Sequence, residues 1–283
     1  MATNPKIIRT RTEEVIADEQ LLALINLIKN AEGFDFSNYS PASLKRRVSR
    51  IMQLQKLSYF ELCNQIINDK NYFDYFLAEV TVNVTEMFRD PLFYKSLSDN
   101  VIPYLSSYQH NKVWIAGCST GEELYSFSIL FSEQGLYDRS FFYGTDINHE
   151  VLETAKEGIY ELQKMKLYTE NYIAMGSTTS LSNYYTAKYD AVSLIRKLKK
   201  NVLFSVHNLV TDGPFNEFQL ISCRNVLIYF NATLQKKVIQ LFYDSLANFG
   251  FLCLGSKETI RDVVLSKKFK LVDKKNNIYQ KLS

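Results

Sequence analysis

Two glutamates behind a glycine turn pose the first chemical question. The run "WIAGCSTGEELYSF", Trp114 to Phe127, is apolar up to Gly117, turns through small and hydroxylated residues, and meets Glu122 and Glu123 at a predicted helix start. Its glycines are spaced Gly-x-x-x-Gly, which misses both the dinucleotide GxGxxG pattern and the GxxxxGK[ST] phosphate loop. No lysine follows, so the loop disfavours phosphate. Asp146 stands 25 residues past Gly121. A carboxylate about 20 residues beyond a glycine loop can accept hydrogen bonds from the two hydroxyls of a ribose.

The two loops together fit an adenosine ligand without a pyrophosphate. If that ligand also carries a cation, acids beside the glycine turn become reasonable, because an opposite charge within about 4–6 Å is stabilising. S-adenosylmethionine has all of these parts: adenine, ribose, a sulfonium and an amino acid end. On the residues alone a second explanation of Glu122 and Glu123 stays open. They could simply complement the positive end of the helix dipole, an effect of about 0.3–1 kcal/mol.

The elements that must position these residues follow from periodicity. From Asp18 to about Tyr108 the pattern is helical throughout. Asp18 is a candidate N-cap with Gly33 past the helix end, Ser40-Pro41 and Asp90-Pro91 give cap-plus-proline starts, and Ser58 opens a further helix. After Asn111 short apolar runs alternate with helices: "KVWIAG", "FFYGTD", "VLFSV", "FQLISC" and "GFLCLGS" as strands, with helices starting near Glu122, Asn148, Asn231 and Ser256. "KFKLVD" and "NNIYQKL" then predict an antiparallel edge hairpin. Such alternation predicts a doubly wound, mostly parallel α/β sheet of Rossmann type, with ligands at the carboxyl ends of the strands. The expected division is an all-helical domain over 1–83 and an α/β domain over 84–283. An insert over about 164–201, rich in Ser, Thr and Tyr, reads either as a surface excursion or as a contact surface for a partner.

Composition excludes several classes. At 283 residues, with 46% hydrophobic and 22% charged residues, the chain is globular and long enough for a substantial core. The four cysteines form no CxxC pair, and His110, His149 and His207 lack ligand spacing, so no metal site or disulfide framework is expected. No apolar run of membrane-span length and no signal-type N-terminus is present, which predicts a cytoplasmic protein without membrane insertion. The net charge of +3 is too small to argue for bulk nucleic-acid binding.

Five segments in order carry a resemblance: "NVTEMFRD" (83–90), "AGCSTGEELYS" (116–126), "GTDINHEVLETAKEGIY" (144–160), "HNLVTDGPF" (207–215) and "ISCRNVLIYF" (221–230). The chain resembles the CheR family, chemotaxis-receptor methyltransferases that move a methyl group from S-adenosylmethionine to receptor glutamates. The resemblance implies a class I methyltransferase domain behind a small helical recognition domain. It also implies cofactor contacts at Asn83, Thr85, Arg89, Gly117, Glu123, Asp146, Asn208, Leu209, Cys223, Arg224 and Asn225, with Tyr229 close to the transferred methyl. Glu122 is the less certain of the two acids. Arg89 and Tyr229 are the expected catalytic residues. Met87 departs from the family's usual phenylalanine, a change that should only repack an apolar contact.

"YSPASLKRRVSRIMQLQ" sets Leu44, Val48 and Ile51 on one helical stripe and Arg46, Arg47 and Arg50 on another face. A basic run is often only a solvated face. The resemblance implies instead that it meets the acidic helical cytoplasmic region of a chemotaxis receptor. The expected protein is a monomeric protein-glutamate O-methyltransferase that tunes adaptation. The competing readings are a methyltransferase of another protein or of RNA, and a non-catalytic binder of S-adenosylmethionine or S-adenosylhomocysteine. Family members can carry a receptor-tethering β-subdomain where the 164–201 insert lies, and the sequence leaves tethering open here.

Overall fold

The computed structural model describes residues 15–81 and 85–283. The chain divides into two compact units, Met1–Val80 and Thr81–Ser283.

The first unit is helical: α1 (Asp18–Glu32), α2 (Pro41–Gln55), α3 (Tyr59–Asn68) and α4 (Lys70–Val80). Each helix turns an apolar stripe inward, with Leu24 and Ile28, Leu44, Val48 and Ile51, Leu62 and Ile66, and Phe76 and Leu77 forming one core. Burying each such side chain stabilises the unit by about 1.5–3 kcal/mol. Gly33 ends α1 at φ 71°, the left-handed conformation that lacks a Cβ penalty there. Ser58 and Glu61 form a reciprocal cap, with Glu61 Oε2 accepting from the Ser58 N–H at 2.8 Å. Asp18 is not the cap expected of it. Ala17 holds that position because the Gln20 side chain reaches back to accept its N–H at 3.0 Å, and Asp18 becomes the first helical residue.

The second unit begins with α5 (Pro91–Asn100) and α6 (Ile102–Leu105) and then enters the sheet. Its strands and helices run β1 (Asn111–Ala116), α7 (Glu122–Glu133), β2 (Ser140–Asp146), α8 (His149–Glu157), β3 (Ile159–Glu161), α9 (Met165–Ala174), β4 (Tyr185–Lys188), β5 (Ala191–Leu194), β6 (Val202–Val206), β7 (Phe218–Cys223), α10 (Ala232–Ser245), β8 (Leu246–Leu254), α11 (Val263–Ser266), β9 (Phe269–Asp273) and β10 (Ile278–Lys281). The main sheet has the order β6-β2-β1-β7-β8-β10-β9. Strands β6 to β8 pair in parallel, and β10 and β9 close the edge antiparallel. Strand order reverses between β1 and β7, so the loops after these two neighbours open side by side, which is where an open α/β sheet binds ligand.

Helix α7 is buried along nearly its whole length, and residues from Leu124 to Phe131 supply much of the core. On β1, Trp114 packs against Phe215, Phe218, Phe242 and His207. The excursion between β2 and β6 builds its own antiparallel sheet, ordered β3-β5-β4. It therefore starts at Ile159, ahead of the 164 read from composition, because three residues of β3 are too short to show a period. No helix starts at Ser256. Glu258 folds its carboxylate back onto the Gly255 N–H at 2.6 Å, and helix resumes only at the four-residue α11, capped by Asp262.

Candidate functional site

The glycine loop after β1 is pinned from below. Thr145, on β2, accepts the N–H groups of Gly117 and Cys118 at 2.8 and 2.9 Å. Gly117 has φ 72°, and a Cβ there would meet Val226 Cγ2 at 2.5 Å, so only glycine lets the loops after β1 and β7 close on each other. Asp146, at the end of β2, joins this loop to its own. Its Oδ2 accepts the Ser119 N–H at 2.9 Å and its Oδ1 the Asn148 N–H at 3.1 Å.

Burial raises the Asp146 carboxyl above its ordinary value, while the backbone N–H groups of Asn148, Ser119 and Ile147 pull the other way. With three backbone amides on two oxygens the carboxylate keeps acceptor capacity, as ribose hydroxyls would need. Beside it, the Asn148 side-chain Nδ2 is buried and finds no acceptor among the described residues, although Asn148 Oδ1 caps α8 by accepting the Glu150 N–H. An orphaned donor next to an under-used acceptor fits a hydroxylated nucleoside. Sequence reading marked Asn148 only as a helix start.

The two glutamates do different things. Glu122 is buried and accepts from Thr120 Oγ1 at 2.5 Å and Tyr168 OH at 3.3 Å, and burial raises its carboxyl. Glu123 accepts from Ser222 Oγ at 2.7 Å and pairs with Arg224 Nη1 at 3.1 Å, and its side chain keeps 13% exposure. Glu123 is thus the acid with an accessible edge. Both are chiefly internal ties, an explanation that neither the dipole nor the ligand reading contained.

Arg224 lies inside the molecule, its side chain 1% exposed. Its fork reaches Glu123, Asp90 Oδ2 at 2.7 Å and the Arg89 carbonyl at 3.3 Å, and its plane lies over the Phe93 ring at 3.9 Å. The structure brings Arg224 and Cys223, which is also buried, to the site's foundation. Nothing local along the chain signals this, since Asp90 lies 134 residues away.

The segment that holds Arg89 is strained and held at several points. Phe88 and Asp90 both have positive φ, 54° and 59°. Residues of this kind persist only when their surroundings over-determine them. Here Ser126 accepts the Phe88 N–H at 2.9 Å, Asn171 donates to the Met87 carbonyl at 3.1 Å, and Arg224 holds both Asp90 and the Arg89 carbonyl. Met87 is wholly buried. Thr85 and Arg89 are half-buried, and Asn83 lies outside the described residues.

Elsewhere, Asn225 has φ 63° and Tyr229 is half-buried at the end of the loop after β7. Asn208 closes a tight turn, its N–H donating to Asp212 and its Oδ1 accepting from Val210, with Leu209 buried beside it. His207 packs on Trp114, and its Nε2 lies 3.2 Å from the Gly213 carbonyl, which fits an Nε2–H donor. In the first unit, Arg46 and Arg50 are exposed on α2, whereas Arg47 donates to the Glu79 carbonyl at 3.4 Å and so helps close α4. Among the described residues no cluster of metal-ligating side chains occurs.

A doubly wound sheet whose first glycine loop lacks a phosphate-binding lysine and is tied to the carboxylate ending the next strand belongs to the Rossmann-type nucleoside-binding class. Comparison with known proteins gives the family. Residues 83–278 match the CheR methyltransferase SAM-binding domain and residues 19–81 the CheR methyltransferase all-alpha domain. The chain belongs to the CheR methyltransferase family. It is 43% identical over 271 residues to a methyltransferase of Pseudomonas putida named Cher3, covering 95% of this chain and 99% of that one. It is 30% identical over 247 residues to the chemotaxis protein methyltransferase of Listeria monocytogenes, covering 86% and 91%. The cofactor is therefore S-adenosylmethionine, and the observed Asp146–Asn148 arrangement fits its ribose.

Proposed function

We propose that this methyltransferase esterifies glutamate side chains in the cytoplasmic helical region of chemotaxis receptors, acting in the cytoplasm. The observation that carries this reading is the joined pair of loops at Ser119 and Asp146, next to the held Arg89 segment. They support reading this end of the sheet as a nucleoside seat, with Arg89 as the cation suited to a carboxylate. That no helix among the described residues is long and apolar enough to cross a membrane is compatible with it.

S-adenosylmethionine, when bound, supplies a methyl group on an electrophilic sulfonium. A glutamate with an ordinary pKa near 4.3 is already anionic at neutral pH, so this chain need not provide a general base. Its work is alignment. Asp146 would accept the ribose hydroxyls and fix the nucleoside. Arg89 holds the incoming carboxylate through its planar fork, since a guanidinium beside the sulfonium itself would be repelled. The Tyr229 hydroxyl orients the same carboxylate. Holding nucleophile and methyl within about 3–3.5 Å, in line, supplies most of the acceleration. Arg46 and Arg50 offer the exposed charge that an acidic receptor helix would meet.

The test is incubation with radiolabelled cofactor and a receptor cytoplasmic fragment. Label released as methanol by mild base supports a methyl ester. Base-stable label, or label on RNA, would sink the proposal.

A further inference from the structure

The loop after β7 carries two residues of the proposed site, Asn225 and Tyr229, and its own backbone bonds, Tyr229 N–H to the Val226 carbonyl and Phe230 N–H to the Leu227 carbonyl, close only the turn at its far end. Asn225 sits at φ 63°, and a 3-10 turn over Leu227–Tyr229 leads on to α10. Two side chains from outside the loop also hold it. Glu258, buried in the segment after β8, accepts the Asn225 N–H at 2.9 Å and the Gly255 N–H at 2.6 Å through Oε2, and the Ile228 N–H at 3.2 Å through Oε1. Gln235, in the first turns of α10, donates its Nε2–H to the Leu227 carbonyl at 2.9 Å and the Phe230 carbonyl at 3.0 Å. One side chain gathers the loop's N–H groups, and the other gathers its C=O groups.

Two further details show how closely this arrangement is built. A Cβ on Gly255 would stand 2.6 Å from Glu258 Oε2 and 2.8 Å from the Asn225 nitrogen, so glycine is required for the carboxylate to reach under the strand end. Burial raises the Glu258 carboxyl and the backbone amides of Gly255, Asn225, Ile228 and Leu227 oppose that. A group buried at such expense needs its donors in place, and the N–H groups of Asn225, Leu227 and Ile228 come from this loop.

We propose that Glu258 and Gln235 are positioning residues of methyl transfer, a two-sided clamp that fixes the backbone carrying Asn225 and Tyr229. The assignment rests on the reading of that loop as one wall of the cofactor site. Both residues act through the loop's backbone, so their loss should slacken Tyr229 more than it weakens receptor docking.

The test uses the full chain, with S-adenosylhomocysteine calorimetry and methyl-transfer kinetics on a receptor fragment. Wild-type protein is measured first. If it binds no S-adenosylhomocysteine or gives no base-labile label, the parent reading fails, whatever the clamp does. Given an active wild type, Glu258→Ala should lower kcat by about 100-fold, the scale of a 1 Å misplacement, with KM for the fragment unchanged and far-UV circular dichroism retained. Glu258→Asp should recover part of the rate, because it keeps the charge. Glu258→Gln should not, because its NH2 must face an N–H donor. Gln235→Ala should lower kcat by about tenfold, non-additively with Glu258→Ala, since both hold one loop. If Glu258→Ala proves insoluble, Gln235→Ala and Glu258→Gln carry the same expectation. Folded variants with wild-type kcat would overturn the proposal, as would losses of kcat, KM and binding that merely track melting temperature.

Discussion

Replacing Arg224 by methionine tests how far the site depends on its foundation. The substitution keeps an apolar stem against Phe93 and removes the fork that ties Glu123, Asp90 and the Arg89 carbonyl. The two arms differ in weight. Asp90 is 44% exposed, so its arm is worth only about 0–1 kcal/mol. Glu123 is the nearly buried partner, and stranding such a charge costs about 3–5 kcal/mol, less here because Ser222 still donates to it. A loss of about 3–4 kcal/mol follows. For a unit of this size that lowers Tm by about 6–16 °C. Arg224→Lys should fall between, because it restores the charge without the fork or the stacking.

Differential scanning calorimetry reads the stability, and Glu123→Gln completes a double-mutant cycle. In the Arg224→Met background, Glu123→Gln should cost much less than in wild type, since the carboxylate has already lost its partner. Methyl transfer, measured below the lowered Tm, should also drop, because the Arg89 carbonyl is no longer held and the positive-φ turn at Phe88 and Asp90 can relax. Melting within about 2 °C of wild type, or an additive cycle, would refute the view that Arg224 is the internal tie.

Mild acidification should move the stability contributed by three buried carboxyls and the binding of the cofactor product in opposite directions. Burial raises Asp146, Glu122 and Glu258 above their ordinary values of 3.8, 4.5 and 4.5, so between those values and the raised ones the folded state holds more protons than the unfolded. Their contribution to stability therefore grows as pH falls from neutrality into that window. Calorimetric affinity for S-adenosylhomocysteine should meanwhile weaken as Asp146 loses its charge, and Asp146→Asn should bind weakly at all pH values. Reversing Arg46 and Arg50 to glutamate should reduce receptor methylation about tenfold or more at low salt, with less effect at high salt, while leaving cofactor affinity unchanged. Equal affinity and equal rates would remove α2 from the docking surface.

Much of the fold was legible because its signals are local. Glycine turns, alternating apolar runs and cap residues such as Ser58, Asn148 and Asn231 mark the elements without reference to anything distant. Most of what stayed hidden is a side chain whose partner is remote in sequence. Glu258 looked like part of a helix because nothing near Ser256 reveals that the Asn225 and Ile228 N–H groups await it. The Arg224 tie was hidden too, because Asp90 and Glu123 are far away along the chain. The three-residue β3 was invisible for another reason, since it becomes a strand only by pairing with β5.

The excursion from Ile159 to Leu194 is joined to α7 at both ends of that helix. Near its start Tyr168 donates to Glu122, and at its end Tyr172, Ser177, Thr179 and Tyr184 all donate to Glu133. An inserted segment held only by its two chain crossings could be exchanged between relatives like a cassette. This one is cross-braced by two carboxylates of the parent helix, and a graft lacking those hydroxyls would take four donors from Glu133 and leave Glu122 with Thr120. Chimeras will therefore have to transplant α7 together with the excursion, and in this chain the two can diverge only in step.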